Sequence, residues 1–304
     1  MLPELLEYLN IKELYPPQKE AIAVVEKGES VLMSVPTAAG KTLVAYAALM
    51  KAVREKKKGI YLVPLRALAW EKVTELRDIC KNILNGAKIG VSVGDYDKAK
   101  GLSKYDIIVS TSERADSLIR HNPSWLSEVG CLVSDEIHLI GDAGRGPTLE
   151  MILTRLKTGY VGKKPQIVAL SATISNSSEL AEWLDCKLVE SEWRPVPLSE
   201  AVYSNHTITN QDRVESEGNL DKKRETRHRN PAIGLGLDIV EDGAQSLIFT
   251  MTRSSAVAAA TEAGKFVAKQ LKKDELEELA KTSKTILPRE TEDQTKLVKK
   301  LADA

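Results

Sequence analysis

The chain reads as an α/β protein whose first domain is a parallel sheet covered by helices on both faces. Three observations carry that reading. Short Val, Ile and Leu runs alternate with helical segments from Val31 onward, the pattern of strands buried on both sides and joined by crossover helices. One run, Val31-Leu32-Met33-Ser34, enters a small-residue loop ending in Gly40-Lys41-Thr42 and then an apolar helix. Another, Cys131-Leu132-Val133-Ser134, delivers two adjacent carboxylates, Asp135 and Glu136, to its exit.

Composition bounds the rest. A chain of 304 residues suits two domains, and the expected division is 1–198 and 199–304, the second incomplete. Aromatic residues make up only 5% of the chain against 42% hydrophobic, so the core is mostly aliphatic. Lys and Arg total 43 and so do Asp and Glu. With no overall basic field, any nucleic-acid site has to be a local patch. Cys80, Cys131 and Cys186 lack metal-ligand spacing and read as buried thiols of a reducing, cytoplasmic setting. No apolar run is long enough to span a membrane, and Met1-Leu2-Pro3-Glu4 lacks the regions of a signal peptide.

In order, the chain opens with a helical stretch presenting Leu2, Leu5, Leu6 and Leu9 on one face. Pro16 and Pro17 break it, and a second helix is expected from Gln18 to Glu26. The amide of Gln18 can donate and accept at once, as the edge of an adenine requires; a plain helix residue is the alternative. The loop Val35 to Thr42 follows its strand. Strand, small-residue loop and helix together suit a phosphate cradle built of backbone N–H groups at a helix start. In it Pro36, Thr37, Ala38 and Ala39 form the wrap and Gly40 lets the backbone approach. Lys41 would reach the β- and γ-phosphates, and Thr42 would offer its hydroxyl to Mg2+. Val35 stands where the usual signature has its first glycine.

Strands are expected at Ile60–Val63, Ile89–Val93 and Ile107–Ser110, with helices from Pro64 to about Leu84 and from Thr111 onward. Ligands of such sheets collect at the carboxyl ends of the strands, where Arg66, Thr111 and Arg114 fall. They suit the phosphates of a nucleic-acid backbone, and equally a helix cap and two solvated arginines. At the carboxylate pair, Asp135 can hold Mg2+ through its water shell and Glu136 can orient and deprotonate an attacking water. His138 reads either as a packed side chain or as a link from this site to neighbouring loops. A helix is expected from Arg145 to about Leu156, and then a strand Gln166–Leu170 ending in Ser171-Ala172-Thr173 near the γ-phosphate. Ser177 is expected to cap the next helix. Past the Pro195/Pro197 connector, residues 205–230 read as a polar hairpin or loop and Ser246–Met251 as a strand. A helix follows from about Ser254, and the Lys- and Glu-rich tail from Lys272 reads as helical.

Together these stretches resemble superfamily 2 helicases of the DExH type, and within them the archaeal Hjm (Holliday junction migration) helicases of the Ski type. Tyr15-Pro16-Pro17-Gln18 resembles the Q motif and Pro36 to Thr42 motif I. Val63 to Ala69 resembles motif Ia, Thr111-Ser112-Glu113 motif Ib, and Asp135 to Gly141 motif II. Gly94-Asp95-Tyr96 also fits the pattern. Ser171-Ala172-Thr173-Ile174 resembles motif III, Trp193-Arg194-Pro195-Val196 the connector, and Leu247-Ile248-Phe249 with Arg253 motif IV.

The resemblance implies two RecA-like domains, ATP and Mg2+ in the cleft between them, and single-stranded DNA crossing both tops. It implies 3′-to-5′ translocation and unwinding of forked or branched DNA in repair and replication restart. It also implies a monomer, repair or replication proteins as partners, Arg253 as a DNA contact, and Ser171, Thr173 and His138 as coupling residues. Motifs V and VI and the later domains of that family have no counterpart here. The expectation is therefore a truncated motor, with weak ATP turnover and no unwinding by these residues alone. An RNA helicase of the same superfamily and a non-catalytic nucleotide- and DNA-binding fragment are the competing readings.

Overall fold

A computed structural model describes residues 2–93, 99–160, 162–204, 207–210, 215–217, 230–269 and 271–286. The expected turn at Gly94-Asp95-Tyr96, much of 205–230 and the tail beyond 286 lie outside the described residues. The chain divides into two compact units, Met1–Leu198 and Ser199–Ala304.

The first unit is built on seven parallel strands: β1 (Val31–Ser34), β2 (Lys58–Val63), β3 (Ile89–Ser92), β4 (Ile107–Thr111), β5 (Val129–Ser134), β6 (Gln166–Ser171) and β7 (Lys187–Glu190). Their order is β3-β4-β2-β5-β6-β1-β7. Successive strand residues point to opposite faces, and both faces here are dry. Met33, Tyr61, Val63, Val109, Val133 and Leu170 turn to one face. It is covered by α1 (Leu2–Tyr8), α2 (Pro16–Glu26), α3 (Lys41–Arg54) and α4 (Arg66–Ile83). Leu32, Ile60, Leu62, Ile108, Leu132 and Ala169 turn to the other. There they meet α5 (Ser112–His121), α6 (Gly146–Lys157) and α7 (Ser177–Leu184). Each Val, Leu, Ile or Met among them, fully buried, contributes about 1.5–3 kcal/mol of transfer free energy.

Local chemistry sets the element ends. Pro16 and Pro17 do not break the first helix, which already ends at Tyr8; they occupy the first positions of α2, where a missing N–H costs nothing. Leu5 is buried on α1, whereas Leu9 lies past its end and is exposed. Asn176, not Ser177, precedes α7, and the Ser177 hydroxyl instead donates to Glu190 Oε1 at 2.6 Å. The edge strand β7 has no counterpart among the expected elements. Its burial is mixed rather than continuous, so Lys187-Leu188-Val189-Glu190 does not read as a buried run. Cys80 and Cys131 are buried as expected, while Cys186 is half-buried.

The second unit differs more from expectation. Its described strands, β8 (Ala201–Ser204), β9 (Thr207–Asn210) and β10 (Glu215–Glu217), form an antiparallel sheet ordered β10-β9-β8. The expected hairpin thus has a third strand. Helices α8 (Pro231–Glu241), α9 (Arg253–Val267) and α10 (Lys273–Ile286) follow. Ser246–Met251 is not a strand: it lies in irregular backbone, with Leu247, Phe249 and Met251 exposed. A strand exists only when a neighbour accepts its ladder of hydrogen bonds, and no described strand pairs with this segment.

One tight contact in the first unit gives a stability prediction. Gly146 opens α6, its N–H donating to Asp142 O at 2.8 Å, and an added Cβ would lie 2.1 Å from Ile140 O. The obstacle is backbone and cannot rotate away. Gly146→Ala is expected to lose about 1–3 kcal/mol, as overpacking typically does, read as a lowered urea midpoint at unchanged slope.

Candidate nucleotide-binding site

Strand order assembles the site. The loop after β1 and the carboxylates after β5 leave the sheet on either side of β6, whose end supplies Ser171-Ala172-Thr173. With neighbouring strands about 4.8 Å apart, the two motifs stand roughly two strand spacings from each other.

The loop is held from below and from the side. Val35 is fully buried and its N–H donates to Ser171 O at 3.3 Å. That contact is backbone, so a valine serves at the position where a glycine was anticipated. Pro36 and Ala39 are buried, Thr37 and Ala38 are exposed, and Ala39 N–H closes the turn onto Pro36 O at 3.3 Å. Ala38 and Gly40 both have positive φ, 69° and 73°. At Gly40 the conformation leaves no room for a side chain, because a Cβ would meet Gln18 Nε2 at 2.1 Å.

Gln18 is buried beside the loop. Its Oε1 accepts from Tyr15 N–H at 2.9 Å and its Nε2 donates to Gly40 O at 3.0 Å. The amide therefore ties the start of α2 to the phosphate loop, with one donor and one acceptor lone pair left over. Beside it opens a cavity of about 470 Å3 lined by Ile11, Glu13, Tyr15, Gln18, Gly40 and Leu43, among others. Tyr15 packs against Trp193, ring centroids 4.5 Å apart. A lysine-lined cavity of about 800 Å3 opens at the opposite, amino-terminal end of the strands, remote from this chemistry.

Lys41 donates to Val35 O at 3.1 Å and to Pro36 O at 3.3 Å. Burial lowers its pKa, Glu136 and Asp135 oppose that shift, and Arg194 adds to it. A half-buried ammonium whose hydrogen bonds go to loop carbonyls is a cation with capacity for an anion. Thr42 is half-buried at the second position of α3.

Across β6, Asp135 Oδ1 accepts from Glu136 N–H at 3.1 Å and Asp135 Oδ2 from Tyr61 Oη at 2.9 Å. Glu136 has a left-handed backbone, φ 50°, which turns the chain sharply into a 3-10 turn at Ile137–Gly141. His138 Nδ1 stands 3.4 Å from Glu136 Oε2. Ser34, Ser92, Ser110, Ser134 and Ser171 form a buried hydroxyl row at the carboxyl ends of five strands. The hydroxyls of Ser134 and Ser171 have no protein partner, while Thr173 is exposed.

These residues fit a nucleotide phosphate chain with Mg2+: a loop of backbone donors, a half-buried ammonium, unsatisfied hydroxyls and two carboxylates. Among the described residues no three His, Cys, Asp or Glu converge to cage a metal. Mg2+ commonly binds through one or two carboxylates together with substrate phosphates and water. Arg66 is exposed in the first turn of α4; Thr111 is buried just before α5, and Arg114 is half-buried in its first turn. Val63 and Thr111 are register partners, so these two helix starts are neighbours at the carboxyl edge. Arg253 begins α9 in the second unit and is exposed.

A sequence profile of DEAD/DEAH box helicases matches residues 15–181. The chain belongs to that family. Within it, this chain is 42% identical over 291 residues to the ATP-dependent DNA helicase Hel308 of Methanococcus vannielii, covering 93% of this chain and 38% of that protein. Against Hel308 of Thermococcus kodakarensis the identity is 45% over 276 residues, 89% of this chain and 23% of that one. The chain thus spans well under half the length of these relatives. Among solved structures, the DUF1998 helicase MrfA superposes with a TM-score of 0.70 at 24% identity, covering 88% of this chain and 41% of that one. At that identity the likeness shows fold alone. No helix among the described residues is long and apolar enough to cross a membrane.

Sequence reasoning missed Tyr61, Arg194, and the pairing of Trp193 with Tyr15. Tyr61 left a signal: a phenol in the middle of a buried strand needs a partner for its hydroxyl. The geometry at Gly40 gives a prediction. Gly40→Ala is expected to raise the dissociation constant for ATP at least tenfold by calorimetry, because the new methyl displaces the Gln18 amide and strains a positive φ.

Proposed function

We propose that the protein is the motor portion of an ATP-dependent helicase that translocates 3′-to-5′ on single-stranded DNA and opens forked or branched DNA. The observation that carries this reading is the placement of Lys41, half-buried in the loop after β1, and the Asp135-Glu136 pair, at the exit of β5, on either side of β6. Family membership and the similarity to proteins named DNA helicases support DNA as the track. Repair and replication restart are the setting that fits such a substrate, with repair or replication proteins as partners and a monomeric motor. The finer assignment to the Hjm type belongs to the same proposal.

In this reading Pro36 to Gly40 wrap the β-phosphate of ATP with backbone N–H groups, and Lys41 binds the β- and γ-oxygens. Thr42 and Asp135 hold Mg2+, which supplies charge neutralisation on the phosphate chain. Glu136 orients a water for in-line attack and takes its proton, a step in which positioning and electrostatics do most of the catalysis. Gln18 borders the cavity that takes the adenine. Ser171 and Thr173, at the end of the strand between the two motifs, and His138, 3.4 Å from Glu136, carry the phosphate state to the DNA side. Arg66, Thr111 and Arg114 bind the DNA backbone on the first domain, and Arg253 does so on the second. Residues 1–198 are the first RecA-like domain and 199–304 part of a second.

Glu136→Gln preserves shape and removes the base. In a longer version that completes the second motor domain, it is expected to bind Mg-ATP within about threefold of the unsubstituted protein and to lower DNA-stimulated phosphate release by about 10²–10⁴. Turnover near the parent level would remove Glu136 from the role of base. Running that longer version with RNA in place of DNA tests the track, with stimulation expected from DNA. Charge removal at Arg66 and Arg114 is expected to weaken DNA binding for all sequences alike. It should also reduce the slope of log K against log salt by about 0.7 per lost contact on single strands. A sequence-selective loss in a fluorescence-anisotropy salt series would contradict backbone contacts.

A further inference from the structure

We propose that Tyr61 is a positioning residue for the metal site: its hydroxyl fixes the Asp135 carboxylate in the orientation that receives Mg2+. The inference rests on the reading of Asp135 as the residue that holds the ion. Tyr61 is fully buried in the middle of β2, paired with Val109 on one side and Val133 on the other. Every other side chain of that strand from Ile60 to Val63 is aliphatic. A phenol buried among them would ordinarily be a phenylalanine unless its hydroxyl had a task.

That hydroxyl has one hydrogen bond, donated to Asp135 Oδ2 at 2.9 Å. The other oxygen, Oδ1, accepts from Glu136 N–H at 3.1 Å, and the Asp135 N–H is itself tied to Leu62 O on β2 at 3.0 Å. A carboxylate on an exposed turn rotates freely about its last bond. Here each oxygen is pinned by a donor on a rigid element, one from β2 and one from the turn after β5. Each retains a second lone pair for a metal-bound water. Donors in the shell behind a metal-holding carboxylate set its orientation, and losing one commonly costs 10–100-fold in metal affinity. Contact through the ion's water shell places the effect toward the lower end of that range.

Tyr46 supplies an internal control. Its ring centroid lies 6.5 Å from that of Tyr61 in the same core, and its hydroxyl donates to Glu75 rather than to Asp135. Removing either hydroxyl changes core packing alike; only one removal frees Asp135.

The experiment measures the affinity of the chain for a non-hydrolysable ATP analogue by calorimetry at stepped Mg2+ concentrations, for the parent, Tyr61→Phe, Tyr46→Phe and Asp135→Asn. Tyr61→Phe is expected to raise the Mg2+ concentration for half-maximal tightening about tenfold. Its metal-free affinity and melting temperature should stay those of the parent. Tyr46→Phe should follow the parent curve. A Tyr61→Phe curve superposed on the parent, with Asp135→Asn displaced, overturns the positioning role and leaves the metal reading intact. An equal displacement by Tyr46→Phe also overturns it, in favour of core packing. If Asp135→Asn itself follows the parent, the metal reading fails and this inference with it.

Discussion

The first unit depends on a sheet that has no wet face. With helices on both sides, the strand interiors are apolar apart from the hydrogen-bonded phenol of Tyr61, and the other buried polar side chains gather where strands end. The buried serines Ser34, Ser92, Ser110, Ser134 and Ser171 mark that boundary at the carboxyl ends of five strands. Just past it stand the loop after β1 and the carboxylates after β5. Strand order does the rest, since β1 and β5 flank β6 although most of a hundred residues separate them in sequence. Chemistry that would be dilute in an unfolded chain is thereby held within two strand spacings.

The sheet and its helices were legible because their signals are local and repeated. An eight-residue stretch such as Val31 to Ala38 carries strand, turn and loop in its own composition. The edge strand β7 was not legible: Lys187 and Glu190 are exposed and Val189 alone is buried, so the run lacks the apolar continuity of its neighbours. Ser246–Met251 has that continuity and yet is no strand, because pairing depends on a partner that local sequence does not contain. The site follows the same division. Gly40-Lys41-Thr42 and Asp135-Glu136 read out directly, each motif contiguous. The hydrogen bond of Tyr61 to Asp135 and the packing of Trp193 on Tyr15 join residues more than seventy positions apart, and only folding reveals them.

Gln18 illustrates how the local duties of a residue stay hidden in the sequence. Its composition invited a reading as an adenine contact. In the structure both ends of its amide already serve the protein, one on Tyr15 and one on Gly40. The remaining donor and acceptor are available to a base only in the orientation those two bonds dictate. In the proposed adenine-binding role, a side chain so fixed would add selectivity at low entropic cost, because its rotamer is chosen before a ligand arrives.

Charge at the site follows the same economy of prior arrangement. Lys41 is drawn into the loop, its ammonium on two carbonyls, with its charge disfavoured by burial and by Arg194 and supported by Glu136 and Asp135. A phosphate entering the loop exchanges neutral acceptors for anionic ones, and hydrogen bonds to ionised acceptors are roughly twice as strong. Desolvation of Lys41 has already been met by the fold, so that difference goes to binding. The two carboxylates alone would repel the same phosphate; a divalent cation beside them reverses the sign of their contribution. The cation and the phosphate chain therefore favour one another's binding through charge alone. In the proposed reading, the orientation of Asp135, pinned by Tyr61 and by Glu136 N–H, sets where that reversal would occur.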